Sequence, residues 1–551
     1  MKKKPLILGT LGVTAVFLLT GFVTRINDDY IEVVKNLEIF GKLYREVNSL
    51  YVDETDPSLL MRTGIDAMLA TLDPYTNFID EGQADEIEFL STGQYAGIGF
   101  SLGDHDGVMT VTEVLLNSPA DVAGIYVGDV VEAVNGIRVK SNLDSLRQMI
   151  KGPSGAQLDI SLVRANGKRE KISVKREWVK VPNVPYFGLT QDKMGYIALT
   201  GFSLGAGDEV RQAVTQLMAM NPGLPGIVLD LRDNPGGRLD EAVKVANVFI
   251  PAQETVVETR GRVEGSRQVY QTQRTPVSSD VPLVVLINKG SASASEIVAG
   301  AIQDLDRGIV LGRQSYGKGL VQNVRPLSYN TQLKVTTAKY YTPSGRCIQS
   351  VNYDAKHQEG VAIPENLRGT YYTRNRRVVY GGGGIIPDVK VEEHSAPEIL
   401  TALHEKRMIF DFAAKYVSEN RASLPDPQSF VVTPQLVGAF KSYLKERQFT
   451  WAGVLDQQLE SLKQAASDEA YLDDFSANIA SISADISAGK TQEMENHLPE
   501  ISRALRLEII RQAYHDQGVY VSALKDDRDL KEANRVLSQN ETYRKTLFPV
   551  K

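Results

Sequence analysis

A single cysteine, Cys347, stands in a chain of 551 residues. No internal disulfide can form, so stability must come from apolar cores even in an oxidising compartment. The thiol itself reads as a small strand residue, because no histidine is close in sequence and the nearest is His357. Histidine is scarce as well. The six are His105, His357, His394, His404, His497 and His515, and none lies between residues 281 and 322, the stretch richest in candidate chemistry. Basic charge is not in excess either: the net charge of −7 gives no encouragement to nucleic-acid binding, which wants a basic face, and no nucleic-acid partner is expected. No charge at all interrupts Pro5 to Thr24, a run preceded by Met1-Lys2-Lys3-Lys4 and followed by Arg25. Such a run is a secretory signal or a signal anchor, and membrane association of the N-terminal segment is expected. It contains neither an Ala-x-Ala cleavage site nor a cysteine for lipid attachment, which favours an uncleaved anchor. The lysines then stay in the cytoplasm and the remainder is exported, on the periplasmic side of the inner membrane.

The length points to two to four domains, with 42% hydrophobic and 23% charged residues in the ordinary globular range. Within residues 281–322, the run Val284, Val285, Leu286 and Ile287 reads as a buried strand. The Asn288-Lys289-Gly290 turn stops it, and a helix is expected to begin between Ser291 and Ser295. A serine at that helix N-terminus meets unpaired backbone N–H groups and the positive end of the helix dipole. It can therefore be a nucleophile beside ready oxyanion donors. Ser293 with Glu296 also spells Ser-x-x-Glu ahead of Ile297 and Val298, a capping box that explains the serine without chemistry. Lys318 and Gln322 follow, four apart in a Gly-Lys-Gly setting; alone, such a lysine is ordinarily a solvated surface charge. Upstream, residues 226–232 form another buried strand that runs into Asp233-Asn234-Pro235-Gly236-Gly237. Paired glycines there let the backbone approach a ligand with free N–H groups, or simply turn the chain into a helix.

Around these stretches the pattern changes by region. Val33, Val34, Leu37, Phe40, Leu43 and Tyr44 are spaced helically, and further helical pattern through residues 59–72 ends at Asp73-Pro74. Residues 89–178 alternate short strands with turns. They contain Gly97-Ile98-Gly99-Phe100, Ser118-Pro119-Ala120, Gly128-Asp129-Val130-Val131 and Val134-Asn135-Gly136. Leu143, Leu146, Met149 and Ile150 make an apolar helical stripe that either faces a ligand or packs on its own core. An α/β pattern begins near Met194, with a strand over 195–199, a helix over 208–220 and a later strand over 332–341. Beyond His394 the chain is helical, with Ile409, Ala413, Tyr416 and Val417 on one face.

Taken together, the motifs resemble the C-terminal processing (tail-specific) serine peptidases. In that family the nucleophile is the middle serine of Ser-Ala-Ser-Ala-Ser-Glu, the lysine lies 25 residues on, and a glutamine closes Gly-Lys-Gly-x-x-Gln. Those positions fall on Ser293, Lys318 and Gln322. The resemblance implies a Ser-Lys dyad: Lys318, neutral in an apolar pocket, takes the proton of Ser293 while Gln322 orients the amine. The implied oxyanion donors are the N–H of Ala294 and that of Gly237, with Gly236 second. A lysine base working near neutrality needs its pKa lowered by about three units, roughly 4 kcal/mol, most of it from burial. Gly97, Ile98, Gly99 and Phe100 resemble the carboxylate-binding loop of a PDZ domain, which would take a substrate's terminal carboxylate.

The implied fold is multidomain α/β, with a PDZ-like β domain inserted before a crotonase/Clp-like α/β peptidase core and helical segments at both ends. Its expected divisions are a signal segment at 1–25, a helical segment at 26–88, PDZ at 89–178, the Ser-Lys peptidase core at 179–393 and a helical domain at 394–551. The implied function is a serine endopeptidase that recognises and cleaves proteins near their C-termini, with no metal and no cofactor. Homo-oligomers are left open. Two readings compete: a noncatalytic PDZ scaffold that binds protein tails, against which the intact Ser293, Lys318 and Gln322 argue, and an acyl-CoA enzyme of crotonase-like architecture, against which export and the PDZ motifs argue.

Overall fold

The computed structural model describes residues 30–139, 143–263, 265–353, 360–393 and 395–548. The expected signal segment, His357 and the boundary residue His394 lie outside them. Among the described residues no helix is long and apolar enough to cross a membrane.

The chain divides into two compact units. Among the described residues, the smaller comprises 30–80 with 323–336, 353 and 360. Here a helix over residues 30–50 precedes the helix Pro57–Ala70, which starts where Asp56 accepts from the N–H groups of Ser58 and Leu59 and Pro57 takes the first turn. The helical reading of this region holds to Ala70. It then gives way to a short strand, Asn77–Ile79, which runs antiparallel to residues 332–334. The reason is local: the Asp73 carboxylate accepts from the N–H groups of Tyr75 (2.8 Å) and Thr76 (2.9 Å), closing a turn where a helix would need those donors elsewhere.

The larger unit holds the remaining residues. Its first part is a sheet of neighbouring antiparallel strands in the order Phe100–His105, Val108–Val114, Val130–Val134, Gln157–Val163 and Arg169–Lys175. Alternation is clean in Gln157–Val163, where Leu158, Ile160 and Leu162 point inward. Leu146 of the helix Leu143–Ile150 is buried with them, so that position is core, while Leu143, Met149 and Ile150 are only partly covered at its margin. Both ends of this part meet in one strand pair, Gln94–Gly97 against Glu177–Lys180. The junction expected at residue 178 therefore falls inside a strand, and the one expected at 88 falls inside the helix Ala84–Thr92, which Gly93 ends in the left-handed conformation.

The second part is a six-stranded sheet ordered Tyr186–Leu189, Gly195–Ala198, Ile227–Asp230, Leu283–Ile287, Ile309–Gly312 and Val389–Lys390. All but the first strand run parallel. The central strands are buried on both faces, which is why they read as unbroken apolar runs. Ile197, Leu229, Val285 and Val310 face the helices Ala206–Met220, Leu239–Phe249 and Ala294–Asp304. On the opposite face, Tyr196, Val228, Val284 and Leu311 are covered by Leu530, Ala533, Val536 and Leu537 from the far end of the chain. Those residues belong to the helix Arg528–Ser538. The remaining tail builds its own core, in which Ile409, Ala413 and Val417 pack with Phe440, Leu505 and Ile509. Cys347 corrects an expectation: it sits at an isolated bridge to Tyr341 rather than within a strand, half-buried and free.

Candidate active site

Two loops leave the C-terminal ends of adjacent parallel strands and are bonded side by side. From the strand Ile227–Asp230 the chain enters Asp233 to Gly237; from Leu283–Ile287 it enters Asn288 to Ser293. The Asp233 N–H donates to Asn288 Oδ1 (2.9 Å), the Asn288 side-chain amide returns a bond to Asp233 Oδ1 (2.9 Å), and Ala292 N–H donates to the Asn234 carbonyl (3.0 Å). Asn234 is fully buried and anchors its own loop by donating to the Leu199 carbonyl (2.7 Å). Gly236 has φ +100°, and a Cβ placed there would lie 2.8 Å from the Ala294 nitrogen and 2.7 Å from the Ala292 carbonyl oxygen. Only glycine lets the two backbones approach this closely.

Of the three serines in the run, two are committed to structure. Ser291 donates to the Leu231 carbonyl (2.7 Å) and Ser295 to the Asn234 carbonyl (2.9 Å), and both are fully buried. Ser293 differs. It precedes the helix Ala294–Asp304 with φ 54° and ψ −112°, a conformation that a residue bearing a Cβ rarely holds unless its surroundings impose it. The Ser293-Glu296 pair has the layout of a capping box, but the hydrogen bond made is the Glu296 half, from Ser293 N–H to Glu296 Oε2 (2.9 Å); the hydroxyl makes no capping bond.

Glu296 is the hub of the site. Its Oε1 accepts from Ser315 Oγ (2.5 Å) and Gly317 N–H (2.7 Å), and its Oε2 accepts from the N–H groups of Ser293 and Lys318 (both 2.9 Å). The Tyr340 hydroxyl makes a second tie, to the carbonyls of Ser293 (3.2 Å) and Lys318. Ser293 and Lys318 are thus joined twice through their backbones. Gln322 lies four residues on, in the strand Leu320–Pro326. Two backbone donors in these loops have no acceptor among the described residues: the N–H groups of Gly237 and Ala294. The Gly236 N–H, by contrast, donates to Asn234 Oδ1 (2.9 Å).

Burial pushes the Glu296 carboxyl up to about 7, against the pull of its four donors. A carboxyl raised above its unfolded value contributes stability that is fully present below about pH 4.5 and lost as pH rises through about 7. Glu296→Gln replaces one accepting oxygen by an NH2 group facing two donors, which costs roughly 1–3 kcal/mol for each group left unpaired. Melting curves from pH 4 to 9 should show the variant less stable than wild type throughout. The gap should narrow as pH rises, because only the wild type then buries a charge. A gap that widens with pH would show that the carboxylate is stabilised rather than raised.

The expected tail-binding residues lie apart from this loop pair. Gly99 has φ +85°, and a Cβ there would meet Ser118 Cβ at 2.2 Å. The Gly99 carbonyl accepts from Leu115 N–H (2.9 Å) and Ser118 Oγ (3.1 Å), whereas the N–H groups of Ile98 and Gly99 have no acceptor among the described residues. Ile98 is buried in the domain core, so at that position only the backbone is available. Among the described residues, the strand Phe100–His105 is at the edge of its sheet and pairs only with Val108–Val114.

A family model described as peptidase family S41 matches residues 193–357. Over 339 residues the chain is 34% identical to a carboxy-terminal-processing protease of Bartonella bacilliformis, covering 61% of this chain and 77% of that one. The chain belongs to peptidase family S41. A PDZ domain model matches residues 110–164 of this S41 chain, and one described as a probable PDZ-protease C-terminal helical domain matches 399–537. A probable CtpA-like serine protease of Staphylococcus aureus is 33% identical over 349 residues, 62% of this chain and 69% of its own. Among solved structures, a photosystem II D1 C-terminal processing protease aligns with 64% of this chain and 92% of its own, at 26% identity and a TM-score of 0.35.

Sequence reading missed Tyr340 and underrated Glu296. The strand carrying Tyr340 was legible, but nothing in its alternation marks a hydroxyl reaching two carbonyls. Of the histidines, His105 sits on the PDZ sheet, His404 and His515 on C-terminal helices, and His497 at the turn between two of those helices.

Proposed function

We propose that this S41 chain is a serine endopeptidase with a Ser293-Lys318 dyad that cleaves proteins near their C-termini. The observation that supports the reading is the double tie through Glu296 and Tyr340, side chains that each bond the backbones of both Ser293 and Lys318. In the reaction, the neutral Lys318 amine accepts the Ser293 proton as Oγ attacks the scissile carbonyl. The resulting oxyanion accepts from the N–H groups of Gly237 and Ala294. Collapse breaks the C–N bond, the leaving amine takes the proton from Lys318, and water then hydrolyses the Ser293 ester by the same steps with Lys318 again as base. Gln322 orients the amine. The helix N-terminus at Ala294 favours the developing negative charge.

Substrate selection falls to the PDZ part. The free N–H groups of Ile98 and Gly99 take the terminal carboxylate, and the preceding residues add a strand to the Phe100–His105 edge. Amidating a substrate's C-terminus removes the charge this loop binds. A peptide ending in a free carboxylate should therefore be processed at least about tenfold more efficiently, in kcat/KM, than its amide, as expected for loss of one charge-assisted contact of roughly 1.5–3 kcal/mol. Equal processing of the two in a competition assay followed by mass spectrometry would remove carboxylate recognition from the function. We further propose, from Lys2, Lys3 and Lys4 and the uncharged run behind them, that the protein is exported and held at the periplasmic face of the inner membrane; recovery in the cytosolic fraction on cell fractionation would contradict this.

A further inference from the structure

The helix Arg528–Ser538 brings two carboxylates that its role as a cover for the sheet does not require. Asp527, at its N-cap, and Asp529, in its first turn, both accept from the Arg232 guanidinium. Arg232 lies between the strand Ile227–Asp230 and the loop that runs from Asp233 to Gly237. Its guanidinium bonds Asp230 (2.5 Å), Asp527 (2.7 Å) and Asp529 (3.0 Å). Arg313 follows the strand Ile309–Gly312 and precedes the loop through Ser315 and Gly317 to Lys318. It bonds the same Asp529 oxygen, Oδ2, and donates also to the Glu392 carbonyl (3.0 Å). Asp529 is 4% exposed.

We propose that Asp529 is a positioning residue for the reaction, one carboxylate oxygen tying together the strand ends from which the oxyanion loop and the lysine loop start. This rests on the dyad reading above. Two guanidinium groups converge on one oxygen, so the carboxylate both anchors and screens them; without it they repel. The loss is uneven. Arg232 keeps Asp230 and Asp527, whereas Arg313 keeps only a carbonyl among its described partners. The loop to Lys318 should loosen first, and displacement of a catalytic group by about 1 Å costs on the order of a hundredfold in rate. Asp529 stands 216 residues from Arg313 and 297 from Arg232 in the chain, so the C-terminal helices set active-site geometry as well as stability.

The test uses the full chain with Asp529→Asn, Arg313→Met and the double variant, read in two ways. The first is steady-state cleavage of a free-acid peptide. Asp529→Asn and Arg313→Met should each lower kcat by about ten- to a hundredfold with KM within about twofold, and the double variant should be no slower than Asp529→Asn, because both act through one clamp. The second is amide hydrogen exchange: peptides covering residues 314–320 should exchange at least about tenfold faster in Asp529→Asn, while those covering 94–105 keep the wild-type rate. Unchanged exchange at 314–320, kcat within about twofold of wild type, or kcat losses that multiply in the double variant would each overturn the clamp. Should Asp529→Asn not fold, Arg313→Met carries the same readouts, and wild-type values there overturn it as well. Faster exchange in a protein whose wild type does not cleave would spare the clamp and sink the dyad reading instead.

Discussion

Ser293→Ala is expected to abolish cleavage and leave the fold and tail binding in place. Removal of a serine nucleophile leaves only binding and the oxyanion donors, and losses on the order of 10⁶ in kcat are typical of that change. On sequence alone a second cost was expected, because the same serine spelled a helix cap, whose loss is ordinarily about 0.5–2 kcal/mol. The structure changes that expectation: the capping bond runs from Ser293 N–H to Glu296, and alanine keeps it. Alanine also has to hold φ 54°, as serine does, so the strain is unchanged in kind. The melting temperature should therefore stay within a few degrees of wild type, and a fluorescent free-acid peptide should bind the variant with its wild-type Kd. Cleavage at the wild-type rate would defeat the serine mechanism as a whole, since Ser291 and Ser295 are buried and bonded and offer no replacement.

How much of this was legible in the chain depends on whether the determinant is local. The parallel strands announced themselves, because Val284 to Ile287 and Ile227 to Leu229 are buried on both faces and so must be apolar at every position. The glycine pair was legible because only a residue without Cβ fits 2.8 Å from another backbone. The preference for Gly237 over Gly236 came from the family resemblance; its physical reason, the Asn234 side chain accepting from the Gly236 N–H, is not written in the local sequence. Tyr340, Arg232 and Asp529 were invisible for a different reason: each acts on residues tens to hundreds of positions away, and a tyrosine in a strand or an aspartate in a first helical turn has an ordinary local explanation. The tail read simply as helical because periodicity reports that a face is buried, not what buries it. Here the answer was divided, with Leu505 and Ile509 in the tail's own core and Leu530 and Leu537 on the peptidase sheet.

Lys318→Met is expected to cost at least the roughly hundredfold typical of a lost general base. The methionine keeps the length and apolar stem of the lysine, and the Lys318 backbone bonds to Glu296 and Tyr340 are indifferent to the side chain, so the loop should stay where it is. Lys318→Arg should fail nearly as badly, since a guanidinium stays protonated at any workable pH and cannot accept the serine proton. In the wild type the amine must be neutral to act, so kcat should rise with pH through its ionisation and then level. Glu296 complicates this rise, because its carboxyl, pushed up to about 7, loses its proton over part of the same range. The two can be separated by variants. Glu296→Gln should lower the rate and keep the rising limb, because the lysine remains; Lys318→Met should flatten the limb to whatever Glu296 contributes. The measurement is a cleavage-rate profile from pH 5 to 10 for wild type and both variants, with circular dichroism confirming the fold at each pH. A Lys318→Met profile parallel to wild type and close to it in height would remove the lysine as base and send the search to the histidines.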